Sequence, residues 1–209
     1  MLRKILSVLL VTVGVGVIAF TAEGQDTKAA IKEIKEHRRQ KEKTFRDKSA
    51  SPLLPEDRKK FRGLNYFEID LDYRVTARFV ETPGMPLFAM KTTTERLPEY
   101  RKFGEVHFTI QGQPLSLEVY QSPEIMQRPG YEDYLFIPFT DETNGHETYE
   151  VGRYLELRIP SSGEVIIDFN MSYSPYCSYN PNYSCPIPPA VNHIPLRVEA
   201  GEKKFKDDH

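Results

Sequence analysis

The sequence predicts a mainly β protein, an antiparallel sandwich or partly open barrel of about seven to nine strands preceded by one or two helices. Three observations predict it. Apolar and polar residues alternate through "YFEIDLDYRVTARFV", with Phe67, Ile69, Leu71, Tyr73, Val75, Ala77 and Phe79 on one face of an extended chain. Short runs rich in β-branched and aromatic residues recur downstream, separated by turn residues. No long helical period lies between those runs, which argues against a parallel βαβ sheet.

The first residues read as a secretory leader. Arg3 and Lys4 precede an apolar run from Ile5 to Phe20, and Ala22 and Gly24 are small residues suited to cleavage before Gln25. The run is shorter than the roughly 20 residues a bilayer span needs, so an uncleaved inner-membrane anchor is the weaker alternative. Residues 1–24 are thus expected to be a signal peptide and the mature protein to be periplasmic or secreted. With no cysteine near the cleavage point, a lipid anchor is not expected.

Residues 25–62 form a charged, helical N-terminal segment. The stretch 27–48 is rich in helix formers without Gly or Pro, and Ala30, Ile31, Ile34 and Phe45 give it only a thin apolar stripe. A solvated helix lying loosely across the domain is the expectation. Pro52 and Pro55 end it, and a short second helix starts at Pro55. The β domain follows over 63–204, with a polar tail at 205–209. After the first strand, further strands are expected at Phe88–Thr92, Val106–Ile110, Leu115–Tyr120, Tyr134–Phe139, Tyr154–Ile159, Glu164–Phe169 and Ile194–Glu199. "QGQP" and "SSGE" read as hairpin turns.

Residues 168–192, "DFNMSYSPYCSYNPNYSCPIPPAVN", concentrate proline, asparagine, tyrosine and both cysteines in one loop. In an oxidising compartment a Cys177–Cys185 disulfide is the simple reading, closing a small ring worth about 2–3 kcal/mol. Zinc would need two further ligands from His107, His146 or His193, and no ligand spacing points to them, so no metal site is expected. The second dense stretch, "FIPFTDETNGHETYEVGRYLEL", places Asp141, Thr143, Thr148, Tyr149 and Arg153 between two strands around an Asn144-Gly145 turn.

These stretches, with "SPLLPEDRKKFRGLNYF", "IIDFNMSYSPYCSYN" and "CPIPPAVNHIPLRVEAGEK", resemble the bacterial family known as domain of unknown function 1684 over about residues 30–204. The family pattern falls on Phe139, Asp141, Thr143, Gly145, Thr148, Tyr149, Gly152, Arg153, Tyr154, Asp168, Phe169, Asn170, Tyr173, Pro175, Cys177, Cys185, Pro186, Pro188, Pro189, Ala200, Gly201 and Glu202. His146 and His193 fall where the pattern is open. The resemblance implies a location for the site and no activity.

The residues themselves carry the functional expectations. Arg153 has a planar fork suited to a carboxylate or phosphate. If "SSGE" folds its strand onto the one holding Asp168 and Asn170, then Asp141, Tyr149, Arg153, Asp168 and Asn170 converge at one end of the sheet beneath the 173–189 loop. The expected ligand-binding set is Tyr149, Arg153, Asp168, Asn170, Tyr173 and Tyr176, taking a small polar or anionic ligand. A hydrolase using Asp141 or Asp168 with Arg153 is the first alternative, and a satisfied structural network is the second. No nucleophile elbow is present. A formal net charge of −2 excludes a dedicated nucleic-acid binder, and no cofactor motif occurs.

Overall fold

The computed structural model describes residues 16–206, with side chains from residue 26 onward. Residues 1–15 of the predicted leader lie outside the described residues. No described helix is long and apolar enough to cross a membrane.

Helix α1 (Gly16–Arg46) is followed by the short helix α2 (Pro55–Lys60), whose first residue is the proline that presets its φ. Strands β1 (Arg74–Glu81), β2 (Phe88–Ala89), β3 (Glu99–Ile110) and β4 (Gln113–Gln121) come next. A one-turn helix α3 (Pro123–Met126) leads into β5 (Tyr134–Asp141), β6 (Arg153–Arg158), β7 (Glu164–Asp168) and β8 (His193–Ile194). The strands form one curled, half-barrel sheet in the order β6-β5-β4-β3-β1-β7, with β2 beside β3 and β8 beside β5. All pairs are antiparallel except the two-residue contact of β8 with β5.

The expected β class is therefore present, with local differences. "QGQP" closes as a two-residue turn, Gln111 and Gly112 both at positive φ, and Ile110 faces Gln113. "SSGE" makes no hairpin. β6 and β7 are the two opposite edges of the sheet, and β7 pairs with β1, setting Asp168 opposite Arg74. The long first strand is interrupted too. Asp70 accepts from the Asp72 amide and caps a turn at Leu71–Tyr73, so regular pairing starts only at Arg74. Pro195 follows β8 at once, and the stretch beyond, expected as strand to Glu199, is irregular.

Strand periodicity positions everything that follows. On β5, Leu135, Ile137 and Phe139 enter the main core with Val106, Phe108, Leu117, Val119, Leu155, Ile167 and Phe169. Tyr134 and Phe136 point to the other face and join Tyr100, Tyr120, Tyr154 and Cys185. β6 continues the division, Arg153 and Leu155 inward, Tyr154 and Glu156 to the tyrosine side.

Helix α1 does not lie loosely. Ala30, Ile34 and Phe45 are buried, and between them Arg38 and Lys41 reach into the domain. Arg38 donates to the carbonyls of Phe67 (3.0 Å) and Asn170 (3.4 Å) and covers the Tyr66 ring. Lys41 pairs with Glu202 at 2.7 Å. Residues 30, 34, 38, 41 and 45 lie on one helical stripe whose middle members are charged, which is why the apolar stripe looked thin.

Candidate functional site

Of the predicted convergence of Asp141, Tyr149, Arg153, Asp168 and Asn170, Arg153 meets Asp141, while Asp168 and Asn170 pair with each other and with Arg74 and Asp70 instead. Arg153 is fully buried among main-core residues and both its Nη groups are engaged there, while Nε is buried without a hydrogen-bond partner. Its Nη2 donates to Asp141 Oδ2 at 2.5 Å and to the Val198 carbonyl at 2.9 Å, and its Nη1 donates to the Ala200 carbonyl at 2.5 Å. Phe139 stacks beneath it at 5.4 Å. The remaining Asp141 oxygen accepts from the Thr143 amide and hydroxyl. Two glycines make room for this ion pair. Gly152 (φ +123°) would set a Cβ 2.6 Å from the Phe139 carbonyl oxygen, and Gly201 (φ +81°) would set one 2.1 Å from Ser172 Oγ. The cluster ties β5 and β6 to the C-terminal segment.

Asp168 and Asn170 serve a second tie. Asp168 Oδ2 accepts from Arg74 Nη1 at 2.7 Å, and its Oδ1 accepts from the Asn170 amide and side chain, both at 2.9 Å. Asn170 also exchanges two hydrogen bonds with the Asp70 backbone, at 2.7 and 3.0 Å. Arg74 continues to Glu33 of α1 at 3.0 Å. β6 and β7 do not pair across "SSGE", because β7 takes its partner from β1. Neither Asp141 nor Asp168 is placed to act with Arg153 on a bound substrate.

Tyr149 is half-buried at the turn before β6, its hydroxyl 3.7 Å from Cys177 Sγ. The two cysteines are free thiols, contrary to the expected disulfide. The physical reason is the path of the 176–178 turn, which directs the Cys177 amide at Cys185 Sγ (3.2 Å) and leaves the sulfurs unbonded. No cluster of metal-ligating side chains exists among the described residues.

Tyr173 and Tyr176 stand elsewhere, in a groove of about 820 Å³ between α1, the tyrosine face of β5 and β6, and the 175–186 loop. Its walls carry Tyr100, Tyr131, Tyr134, Tyr154, Tyr173, Tyr176 and Tyr183. The rings interlock edge to face, Phe136 on Tyr154 at 4.7 Å, Tyr154 on Tyr173 at 5.8 Å, and Tyr176 on Tyr183 at 5.2 Å. Glu156 is the carboxylate of this wall. Its Oε1 accepts from the hydroxyls of Tyr134 (3.1 Å) and Tyr173, while Oε2 has no hydrogen-bond partner among the described residues. The hydroxyls of Tyr100, Tyr131, Tyr176 and Tyr183 are also uncommitted within the described residues. Burial pushes the Tyr100 phenol up to about 12 and raises those of Tyr134, Tyr154 and Tyr173 as well. Burial pushes the His37 imidazole, on α1, below its ordinary value, with Lys41 adding to the effect.

Lys41 closes one side. Its Nζ lies 4.2 Å over the Tyr173 ring while paired with Glu202. Burial pushes the Lys41 ammonium down and the Glu202 carboxyl up, and each charge opposes the shift in the other. Sequence reasoning missed Glu156, Tyr134, Tyr100, His37 and Lys41. Two signals pointed to them: Tyr154 and Glu156 alternate with Leu155 on β6, and Lys41 sits on the buried stripe of α1.

The molecule is thus an antiparallel half-barrel with a helical N-terminal strap and an aromatic groove beside its core. The family described as "Protein of unknown function (DUF1684)" matches residues 59–203, and the chain belongs to that family. The solution NMR structure of the uncharacterized protein from gene locus rrnAC0354 of Haloarcula marismortui is similar, at 34% identity and a TM-score of 0.68. The match covers 86% of this chain and 96% of that one. No curated protein matches.

Proposed function

We propose that the protein is a binding module for a small, neutral, hydroxyl-rich ligand with an apolar face, the chemistry of a sugar ring, held in the tyrosine groove. The observation that carries the reading is the uncommitted Glu156 Oε2 among aromatic faces and free phenol hydroxyls. A carboxylate oxygen accepts from ligand hydroxyls, phenols donate or accept, and flat rings cover the C–H face of a saturated ring. An anionic ligand is disfavoured. Arg153, the guanidinium suited to it, is fully buried with both Nη groups engaged inside the protein, and Glu156 would repel it.

Saturation-transfer NMR with a panel of mono- and disaccharides tests this. Transfer is expected to at least one sugar, reduced at least about tenfold in affinity by Glu156→Gln or Tyr176→Ala, the loss of one or two ligand hydrogen bonds or a stacking face. No transfer across the panel, or transfer unchanged in both variants, contradicts the reading. We propose further that the protein works after export. The support is Arg3, Lys4 and the apolar run to Phe20. N-terminal sequencing of the native protein should start at or near Gln25, and an intact Met1 contradicts export with cleavage.

A further inference from the structure

Cys177 and Cys185 bracket the loop that carries Tyr183 and follows Tyr176, and Cys185 itself lines the groove. Cys185 is buried and fixed, its amide donating to Thr93 Oγ1 at 3.2 Å and its carbonyl accepting from the Thr93 amide at 2.9 Å. Cys177 is half-buried, follows the exposed Tyr176, and has the Tyr149 hydroxyl at 3.7 Å from its sulfur. The Cys177 amide points at the Cys185 sulfur, so the two side chains are neighbours without being bonded. One thiol is anchored and shielded. The other is reachable and surrounded by hydroxyl and thiol donors.

Their contact sets the two thiols apart in acidity. Donation from the Cys185 thiol, helped by the Tyr149 hydroxyl and opposed by burial, brings Cys177 down to about 7. The same contact, with burial, pushes Cys185 up. A thiolate is the nucleophile in disulfide exchange, so the division assigns attack to Cys177.

We propose that Cys177 and Cys185 form a redox-active dithiol that reacts with small disulfides, Cys177 as nucleophile and Cys185 as resolving thiol. The Cys177 thiolate attacks one sulfur of the small disulfide. Its S–S bond breaks, a Cys177 mixed disulfide forms, and the leaving thiolate takes up a proton. Cys185 then gives up its proton and attacks Cys177 Sγ, closing the intramolecular bond and releasing the second small thiol. The dithiol is oxidised by two electrons and the small disulfide is reduced to two thiols. This bond differs from the static bridge expected of the sequence, because it forms and opens with the surrounding thiol pool. Closing it moves the 176–178 turn toward Cys185 and so alters the wall made by Tyr176 and Tyr183.

Reduced full-length protein exposed to glutathione disulfide, followed by intact mass, is the test. The wild type should lose two hydrogens. Cys185→Ser, which keeps a hydrogen-bond donor beside Cys177, should accumulate one glutathione on Cys177, and Cys177→Ser should react at least about tenfold more slowly. Independently of any variant, Cys177 in the wild type should alkylate with a pH midpoint near 7. A midpoint at about 8.5, the ordinary thiol value, together with no intramolecular bond overturns the proposal. So does a bridge already present in the purified protein that reduced glutathione fails to open, which identifies a static disulfide.

Discussion

Arg153 and Glu156 lie on one short strand and face opposite ways. Arg153 enters the core, where an aspartate and backbone carbonyls take up its Nη donors. Glu156 faces the groove with one oxygen bound by two phenols and the other unpaired among the described residues. The difference teaches where function can reside. A buried charge must be satisfied from within the protein, and a satisfied group has nothing left to offer a ligand. The densest polar motif of the sequence therefore serves the scaffold, and the uncommitted valences lie three residues away.

The strongest way to break the comparison is Arg153→Ala. It strands the buried Asp141 carboxylate and should cost about 3–5 kcal/mol in chemical denaturation. A cost under about 1 kcal/mol would place Arg153 among surface arginines and undo its scaffold role. Next is Gly201→Ala, whose Cβ would meet Ser172 Oγ at 2.1 Å and the Phe169 carbonyl oxygen at 2.6 Å, at a φ of +81°. Strain and overpacking together should cost about 2–4 kcal/mol in the same assay.

Lys41→Met probes the wall between the two regions. It leaves Glu202 buried without its cation and should cost about 3 kcal/mol, most of it recovered on adding Glu202→Gln. Non-recovery in the double variant would show that the lysine matters for packing on Tyr173 more than for charge. Tyr100 offers a smaller effect on the groove side. Its phenol is raised to about 12, so the unfolded chain ionises first, near pH 10. The folded state keeps the full Tyr100 contribution below pH 10 and loses it as the pH rises through about 12. Ultraviolet titration of wild type against Tyr100→Phe should show that late phenol, and a difference curve centred near 10 would mean the ring is solvated.

Much of the fold was legible because strand period and turn chemistry are local. Tyr73, Ala77 and Ile167 lie on the faces their alternation assigns, and Gln111-Gly112 turns where it should. Pairing across the sheet was not legible. "SSGE" joins two edges of a curled sheet, and only the packing of β1 between β3 and β7 decides that. The site was half legible for the same reason. Tyr173 and Tyr176 stood out by loop composition, whereas Glu156 is one charged residue on the solvent-side row of a strand until Tyr134 and Tyr173 are brought beside it. Lys41 was hidden by its own charge.

The central claim, that the groove is free to bind and the Arg153 cluster is not, rests most directly on Glu156→Gln. The substitution keeps size and one acceptor oxygen for the phenols, while removing the charge and replacing the free acceptor with an NH2 donor. Denaturation of the variant should move by less than about 1 kcal/mol, the cost of an exposed polar change. In amide-detected NMR titrations with the sugar that the panel identifies, the wild type should shift residues of β5, β6 and the 175–186 loop that face the groove, and the variant should not. Shifts centred on Asp141, Arg153 and Ala200, or binding by Glu156→Gln equal to wild type, would contradict the account.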